Sequence, residues 1–172
     1  MSDSGRSDFA RIAVLDIGKT KAKVVVRDAG TGAEIAAAKT PNVVLTDGPY
    51  PHYEIDTLWA FALDALTSFA ADPGYDAISI TTHGACAALL DMDGELALPV
   101  LDYEHTYPQP VRDAYAALRP AFAETSSPPL SAGLNLGAQL HYQQEVFPTE
   151  FARVSKILTY PQYWAYRLTG VA

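Results

Sequence analysis

The segment Asp16-Ile17-Gly18-Lys19-Thr20-Lys21-Ala22-Lys23 gathers a carboxylate, a glycine, a hydroxyl and three ammonium groups into one short stretch. The tripeptide Gly18-Lys19-Thr20 looks like the end of a phosphate-binding loop of the form G-x-x-x-x-G-K-[ST], which needs a strand before it and a helix after it. Three features reject that reading. Ala13 stands where the first glycine belongs, the residues between are strand-like, and KAKVVVRD after Thr20 is strand-like as well, so no helix N-terminus receives the phosphates. A different phosphate device fits. Asp16 closes a buried apolar run, and Gly18 permits a tight turn. A carboxylate repels a phosphate unless a cation lies between them, so Asp16 suits Mg²⁺, held directly or through its water shell. Thr20 and the turn amides can donate to phosphate oxygens, and Lys19 or Lys23 can neutralise charge. On this motif alone an ordinary solvated hairpin closed by an Asx turn is an equal alternative.

Other residues that could do chemistry lie in two further stretches. His83-Gly84-Ala85-Cys86 follows a strand-like run, and its small residues leave room for a ligand near the backbone. Glu104 and His105 flank another strand end, where binding loops gather. Glu54 precedes a helix and either opens that helix or lines a cleft. His83 and His105 with a carboxylate could be drawn as a zinc site, but no helical H-x-x-x-H and no paired cysteines support it. His52 and His141 read as surface residues. Cys86 has no base beside it in sequence and reads as a small buried residue rather than a nucleophile.

These residues must be carried by an α/β framework. Residues 12–17 and 23–28 suit two strands of a hairpin around Gly18, and residues 33–39 a third strand. Leu58, Phe61, Ala62, Ala65, Leu66 and Phe69 share a helical face, with Asp56 as N-cap and Asp72-Pro73-Gly74 as the stop. Residues 77–82 suit a strand. Residues 86–90 and 95–100 suit a hairpin around Asp91–Gly94. A helix is expected from Pro110 through Ala117, another along Leu136, Leu140 and Phe147, and a third capped by Thr149 and carrying Phe151, Val154 and Leu158. Pro161 to Leu168 should form a last helix closed by Gly170. The β-β-β-α-β start predicts a mixed sheet with helices on its faces. The loop-rich residues 125–133 are too short to mark a domain boundary.

Composition narrows the partners. The 172 residues are 49% hydrophobic and 19% charged, and the net charge is −8. That balance lacks the basic footprint of a nucleic-acid binder. No apolar run approaches the roughly 20 residues that span a bilayer, and MSDSGRSDFAR lacks the apolar core of a signal peptide. The single cysteine rules out an intrachain disulfide. A cytoplasmic protein with small-molecule partners, no nucleic acid and no membrane is expected.

D-I-G-K-T-K-A-K resembles the D-x-G-T-[ST]-x-x-[KR] hairpin of the FGGY carbohydrate kinases, members of the actin–hexokinase–Hsp70 ATPase superfamily. PHYEIDTLW (51–59) is similar to that family's Glu and Asp segment before the first helix. ITTHGACAALLDMDGELALPV (80–100) resembles its strand, sugar-binding loop and hairpin, and YPQYWAYRLTG (160–170) its dY-l-x-x-[RK]-L-T-G segment. The order of the four carries the resemblance, which spans nearly the whole chain. It implies a ribonuclease H-like domain and ATP-dependent, Mg²⁺-assisted phosphorylation of a sugar. The T-x-G segment is similar to L-fuculose and L-rhamnulose kinases, whereas xylulose kinases carry G-Q-x-H-G. There are departures. Cys86 stands where an aspartate is expected, His83 where an aromatic is common, and Lys19 where a threonine is usual. In PVLDYEH (99–105), Glu104 occupies the place of the acid in an aromatic-x-Asp-x-Arg segment, and no arginine follows closely.

Carried over residue by residue, the resemblance assigns Asp16, Gly18, Lys19, Thr20 and Lys23 to phosphate, with Asp16 also on the metal. It assigns His83, Gly84, Ala85, Glu104, His105 and Glu54 to the sugar. Family members are more than twice this long, so the expectation is that the chain is the N-terminal, incomplete part of such a kinase, with the general-base aspartate beyond Ala172. A homodimer is one candidate assembly. The alternatives are a non-catalytic sugar-binding or regulatory module and, less in keeping with the sugar-loop matches, a chaperone-type ATPase.

Overall fold

The computed structural model describes residues 10–172. Three strands come first, β1 (Arg11–Ile17), β2 (Lys21–Asp28) and β3 (Glu34–Pro41), followed by two short ones, β4 (Val44–Leu45) and β5 (His52–Tyr53). Helix α1 (Ile55–Ala71) leads to β6 (Ala77–Thr82), β7 (Ala87–Leu90) and β8 (Leu96–Leu98). Then come α2 (Gln109–Leu118), α3 (Phe122–Thr125), α4 (Leu136–Val146) and α5 (Pro148–Phe151), and finally β9 (Lys156–Thr159) and α6 (Tyr160–Thr169). The chain divides into two compact units: residues up to Val43 with Glu54–His83, and Val44–Tyr53 with Gly84–Ala172.

The first unit is a mixed four-stranded sheet in the order β3-β2-β1-β6. β1 and β2 are antiparallel, with Leu15 opposite Val24 and Asp16 opposite Lys23, whereas β6 runs parallel to β1. The expected β-β-β-α-β start and mixed sheet are what form. Period-two alternation drives it: Ala13, Leu15 and Ile17 of β1 and Ala22, Val24 and Val26 of β2 are fully buried on one face. Helix α1 packs on β2 and β3 and buries Leu58, Ala62, Ala65 and Leu66. Each buried leucine removes enough apolar surface to contribute roughly 1.5–3 kcal/mol.

The second unit is built on the antiparallel sheet β8-β7-β9. All four residues of β7 are buried, so it reads as a continuous apolar run rather than an alternating one. Asp91 closes the β7–β8 hairpin by accepting the backbone N–H groups of Asp93 and Glu95, each at 3.0 Å, and Gly94 takes φ +83°. The last helix is capped at both ends. The Thr159 backbone N–H donates to Gln162 Oε1 at 2.9 Å in a capping box, and Gly170 is left-handed at φ 72°. Tyr160, Tyr163 and Trp164 of α6 are buried. Elsewhere in this unit Tyr50, Leu98, Leu101, Tyr107 and Tyr142 form an aromatic-rich core.

Four local expectations are corrected. Glu54, not Asp56, occupies the N-cap position of α1, and Asp56 lies in its first turn. Thr149 does not cap a helix: it lies inside the four-residue α5, whose N-cap is Phe147. The helix expected to carry Val154 and Leu158 is instead β9, because Ala88 and Leu89 pair with Leu158 and Ile157 across the sheet. Tertiary pairing outweighs a helical spacing that short. On α4 the buried residues are Gln139, Tyr142 and Gln143, while Leu136, Leu140 and Phe147 are half-buried.

Candidate functional site

In the first unit the parallel pair β1 and β6 ends at a common edge, with Asp16 beside Thr81 and Ile17 beside Thr82. The chain leaves β6 at His83, whose backbone N–H donates to the Ile17 carbonyl at 3.0 Å. Asp16, Gly18, Lys19, Thr20, Lys23 and His83 are therefore brought to one edge of this unit, the carboxyl end of two parallel strands. Ligands of open α/β sheets bind at such edges.

The Gly18–Thr20 turn is braced by the residue that follows β3. Asn42 donates its side-chain amide to the Gly18 carbonyl at 2.8 Å and its backbone N–H to the Thr20 carbonyl at 3.0 Å. The requirement for glycine here is spatial, since a Cβ on Gly18 would lie 3.1 Å from the Lys21 carbonyl oxygen. The Gly18 N–H already donates to that oxygen at 2.9 Å, so it closes the turn. Asp16 lies on the sheet face opposite the buried Leu15 and Ile17, with the Lys23 ammonium 4.0 Å away. Both side chains are about two-fifths exposed (41% and 40%), so the pair contributes little stability of its own. No cluster of three His, Cys, Asp or Glu side chains suited to a metal occurs among the described residues. A lone, solvent-reachable carboxylate still fits Mg²⁺, which keeps most of its waters and takes one or two carboxylates plus substrate phosphates. Glu54 sits at the start of α1, where its carboxylate accepts the Thr57 hydroxyl at 2.8 Å.

In the second unit Gly84 and Ala85 lead into β7, and Glu104 and His105 follow the strand end at Leu101. The Cys86 thiol donates to the Leu101 carbonyl at 3.2 Å, which brings these two stretches together. A Cβ on Gly84 would meet no atom within 4 Å, so the backbone there faces open space. Cys86 is fully buried, as its surroundings in the sequence suggested.

The acid that organises this loop is one the sequence reading passed over. Asp102 is 6% exposed, and its carboxylate accepts the Tyr53 hydroxyl at 3.1 Å and the Glu104 N–H at 3.2 Å. Its carbonyl accepts the His105 N–H at 2.9 Å. Glu104 itself is exposed. The signal was available, because Asp102 ends the apolar run ALPVL just before a loop, where a buried Asx turn is plausible chemistry. Burial and the adjacent Asp102 carboxylate both push the Tyr53 phenol far above its usual range. His105 is set among aromatic rings, 5.5 Å from the Tyr107 centroid and 5.3 Å from that of Tyr142, with Nε2 3.3 Å from the Tyr142 hydroxyl. Desolvation holds its pKa below the ordinary histidine value, partly offset by the Asp102 charge.

Gln139 also went unrecognised in the sequence. It is fully buried, and its amide nitrogen donates to the Ala85 and Gly133 carbonyls, tying the Gly84–Cys86 loop to α4. No hydrophobic periodicity announces a buried glutamine. His52 and His141, read as surface residues, are half-buried, with His52 Nδ1 2.9 Å from the Tyr50 carbonyl.

No family model matches the chain, and no curated protein matches it. Solved structures do. A carbohydrate kinase from Novosphingobium aromaticivorans is 36% identical with a TM-score of 0.84, over 93% of this chain and 34% of that one. A xylulose kinase from Rhodospirillum rubrum is 19% identical (TM-score 0.75, 93% and 34% covered), and a gluconate kinase from Lactobacillus acidophilus is 18% identical (TM-score 0.76, 95% and 34% covered). The latter two show the fold alone. The chain spans about a third of the length of these structures. Its mixed α/β architecture is thus that of part of a sugar kinase. No helix among the described residues is long and apolar enough to cross a membrane.

Proposed function

We propose that this chain is the sugar- and phosphate-binding part of an ATP-dependent carbohydrate kinase. The observation that carries the reading is the likeness to a carbohydrate kinase at 36% identity over 93% of the chain, joined to a hairpin edge suited to phosphate. Asp16 holds Mg²⁺, directly or through water, and Lys19, Thr20 and Lys23 accept the phosphate charge. Mg²⁺ carried with ATP supplies charge neutralisation at the transferring phosphate. His83, Gly84, Ala85, Glu104, His105 and Glu54 bind and orient the sugar, with Asp102 and Gln139 fixing the backbone of the two loops. Orientation of this kind accounts for much of the barrier lowering in phosphoryl transfer. The T-x-G segment favours a ketose of the L-fuculose or L-rhamnulose type, and a pentulose is the other candidate. None of these residues is assigned the role of general base for the sugar hydroxyl. The setting proposed is cytoplasmic, with no nucleic-acid or membrane partner.

The test is steady-state kinetics on the complete gene product with Mg·ATP and a panel of ketoses, followed by ADP release. Sugar-dependent turnover is expected. Asp16→Ala should lower kcat by about 10²–10³ while sparing sugar affinity, as loss of one electrostatic element commonly does. His83→Ala and Glu104→Gln should raise the KM for sugar more than that for ATP. An Asp16→Ala variant with near-normal kcat at saturating Mg·ATP would reduce the hairpin to a structural turn.

A further inference from the structure

A second recess lies in the second unit, between one face of α2, the loop at residues 129–135 and the start of α4. Its volume is about 170 Å³, close to the ~150 Å³ cavity that holds one benzene ring. Val111, Tyr115, Leu130 and Ala138 make the walls largely apolar.

The charged groups that line it share one sign. Arg112 and Arg119, one in the first turn of α2 and one just past its end, both line the recess, and no carboxylate does. In a chain of net charge −8, a recess lined by two arginines and no acid is a local exception; Asp113 is not among its lining residues and is joined to Arg112 only through the Gln109 side chain. Among the described residues each guanidinium makes one hydrogen bond, Arg112 to the Gln109 side chain and Arg119 to the Ser127 carbonyl at 2.6 Å, which leaves donors of the five for a ligand. Tyr107 also lines the recess and is 3% exposed, yet its hydroxyl has no hydrogen-bond partner among the described residues. That hydroxyl sits against the loop wall, because a Cβ on Gly133 would lie 2.5 Å from it.

The walls are held in place without a ligand. Asn135 accepts the Leu130 N–H at 2.9 Å and donates to the Pro128 carbonyl at 3.3 Å, and the Gly133 N–H donates to the Tyr103 carbonyl at 2.7 Å. A preformed apolar recess with a few convergent polar groups is the usual form of a small-molecule site.

We infer that this recess binds a compact organic anion: a single ring or a short branched chain, carrying one carboxylate or phosphate head for Arg112 and Arg119. The size excludes a nucleotide. The apolar walls exclude a bare sugar or a bare inorganic anion.

The experiment titrates the 172-residue chain by calorimetry with four probes: phenyl phosphate, benzoate, benzyl alcohol and inorganic phosphate. Phenyl phosphate and benzoate should bind at least tenfold more tightly than benzyl alcohol, because a hydrogen bond to a charged group outweighs a neutral one by about that factor. Inorganic phosphate should bind no better than benzyl alcohol. Arg112→Gln, at an exposed position, should keep the unfolding transition and weaken phenyl phosphate several-fold, and the Arg112→Gln/Arg119→Gln pair should bring it to the level of benzyl alcohol. Ala138→Leu should fill the recess and remove binding of all three ring compounds. The inference is overturned if the wild-type chain binds neither ring anion at millimolar concentration, if benzyl alcohol binds as well as benzoate, or if both arginines can be replaced without effect.

Discussion

Tyr53→Phe isolates the bond that holds the Asp102 loop. Tyr53 is 1% exposed, and its ring stacks on Tyr160 at 6.0 Å with an interplanar angle of 26°. Phenylalanine keeps that ring, its packing and its volume, so no cavity term enters. The loss is the hydroxyl that donates at 3.1 Å to the buried Asp102 carboxylate. A hydrogen bond to a charged group contributes about 1.5–3 kcal/mol net. Relief of the desolvated phenol offsets part of this, while the carboxylate left with fewer donors adds to it. The expected destabilisation is therefore on the order of 1–3 kcal/mol, or a fall of about 2–12 °C in Tm at 2–4 °C per kcal/mol for a chain of this length. Urea unfolding of wild type, Tyr53→Phe, Asp102→Asn and the double variant gives the coupling directly. A coupling above roughly 1 kcal/mol is expected for neighbours that share a buried bond. A single variant within about 0.5 kcal/mol of wild type, with no coupling, would refute the claim that this pair fixes the loop.

Three further outcomes follow from the geometry. Gly84→Ala should leave urea stability unchanged within about 0.5 kcal/mol, since its Cβ meets open space, yet weaken ketose binding by the complete gene product; unchanged sugar KM would move the sugar away from this loop. Gly94→Ala should destabilise the chain by at least about 1 kcal/mol, because φ is +83° and the new Cβ would fall 2.0 Å from the Tyr166 hydroxyl; a variant of wild-type stability in urea contradicts the hairpin geometry. His105 has a pKa lowered by burial, so the unfolded chain binds its proton first as pH falls. Its contribution is intact above the unfolded value of about 6.5 and is lost as pH drops from there through the lower folded value. His105→Gln should flatten the urea midpoint against pH over that window, and an unaltered slope would show that another group sets it.

Much of the framework could be read from residue order. Ala13, Leu15 and Ile17 against Ala22, Val24 and Val26 are a period-two pattern with a glycine turn between, and few folds other than a hairpin satisfy it. The same holds for Gly170 as the stop of the last helix, whose chemistry is local, whereas the Thr159–Gln162 capping box was not read. What else escaped was non-local. Lys156–Thr159 is a strand only because β7 lies beside it, and nothing in four residues encodes that partner. The site divides the same way. The Asp16–Lys23 hairpin was legible because its residues are adjacent in sequence. Asn42, Asp102 and Gln139 were not, since each acts on an atom distant in sequence: Asn42 on the Gly18 carbonyl, Asp102 on the Tyr53 hydroxyl and Gln139 on the Ala85 carbonyl. Polar side chains buried for such contacts leave no hydrophobic period to find.

The most direct test of the account is chemical-shift mapping of the isotope-labelled chain, titrated separately with Mg·ATP and with a ketose panel. The account predicts two distinct footprints: Mg·ATP moves the amides of residues 16–23 and loses that effect in Asp16→Ala, while a ketose moves residues 82–86 and 102–105 and loses that effect in His83→Ala. Ketose shifts confined to other parts of the chain, or Mg·ATP shifts that persist unchanged in Asp16→Ala, would contradict it.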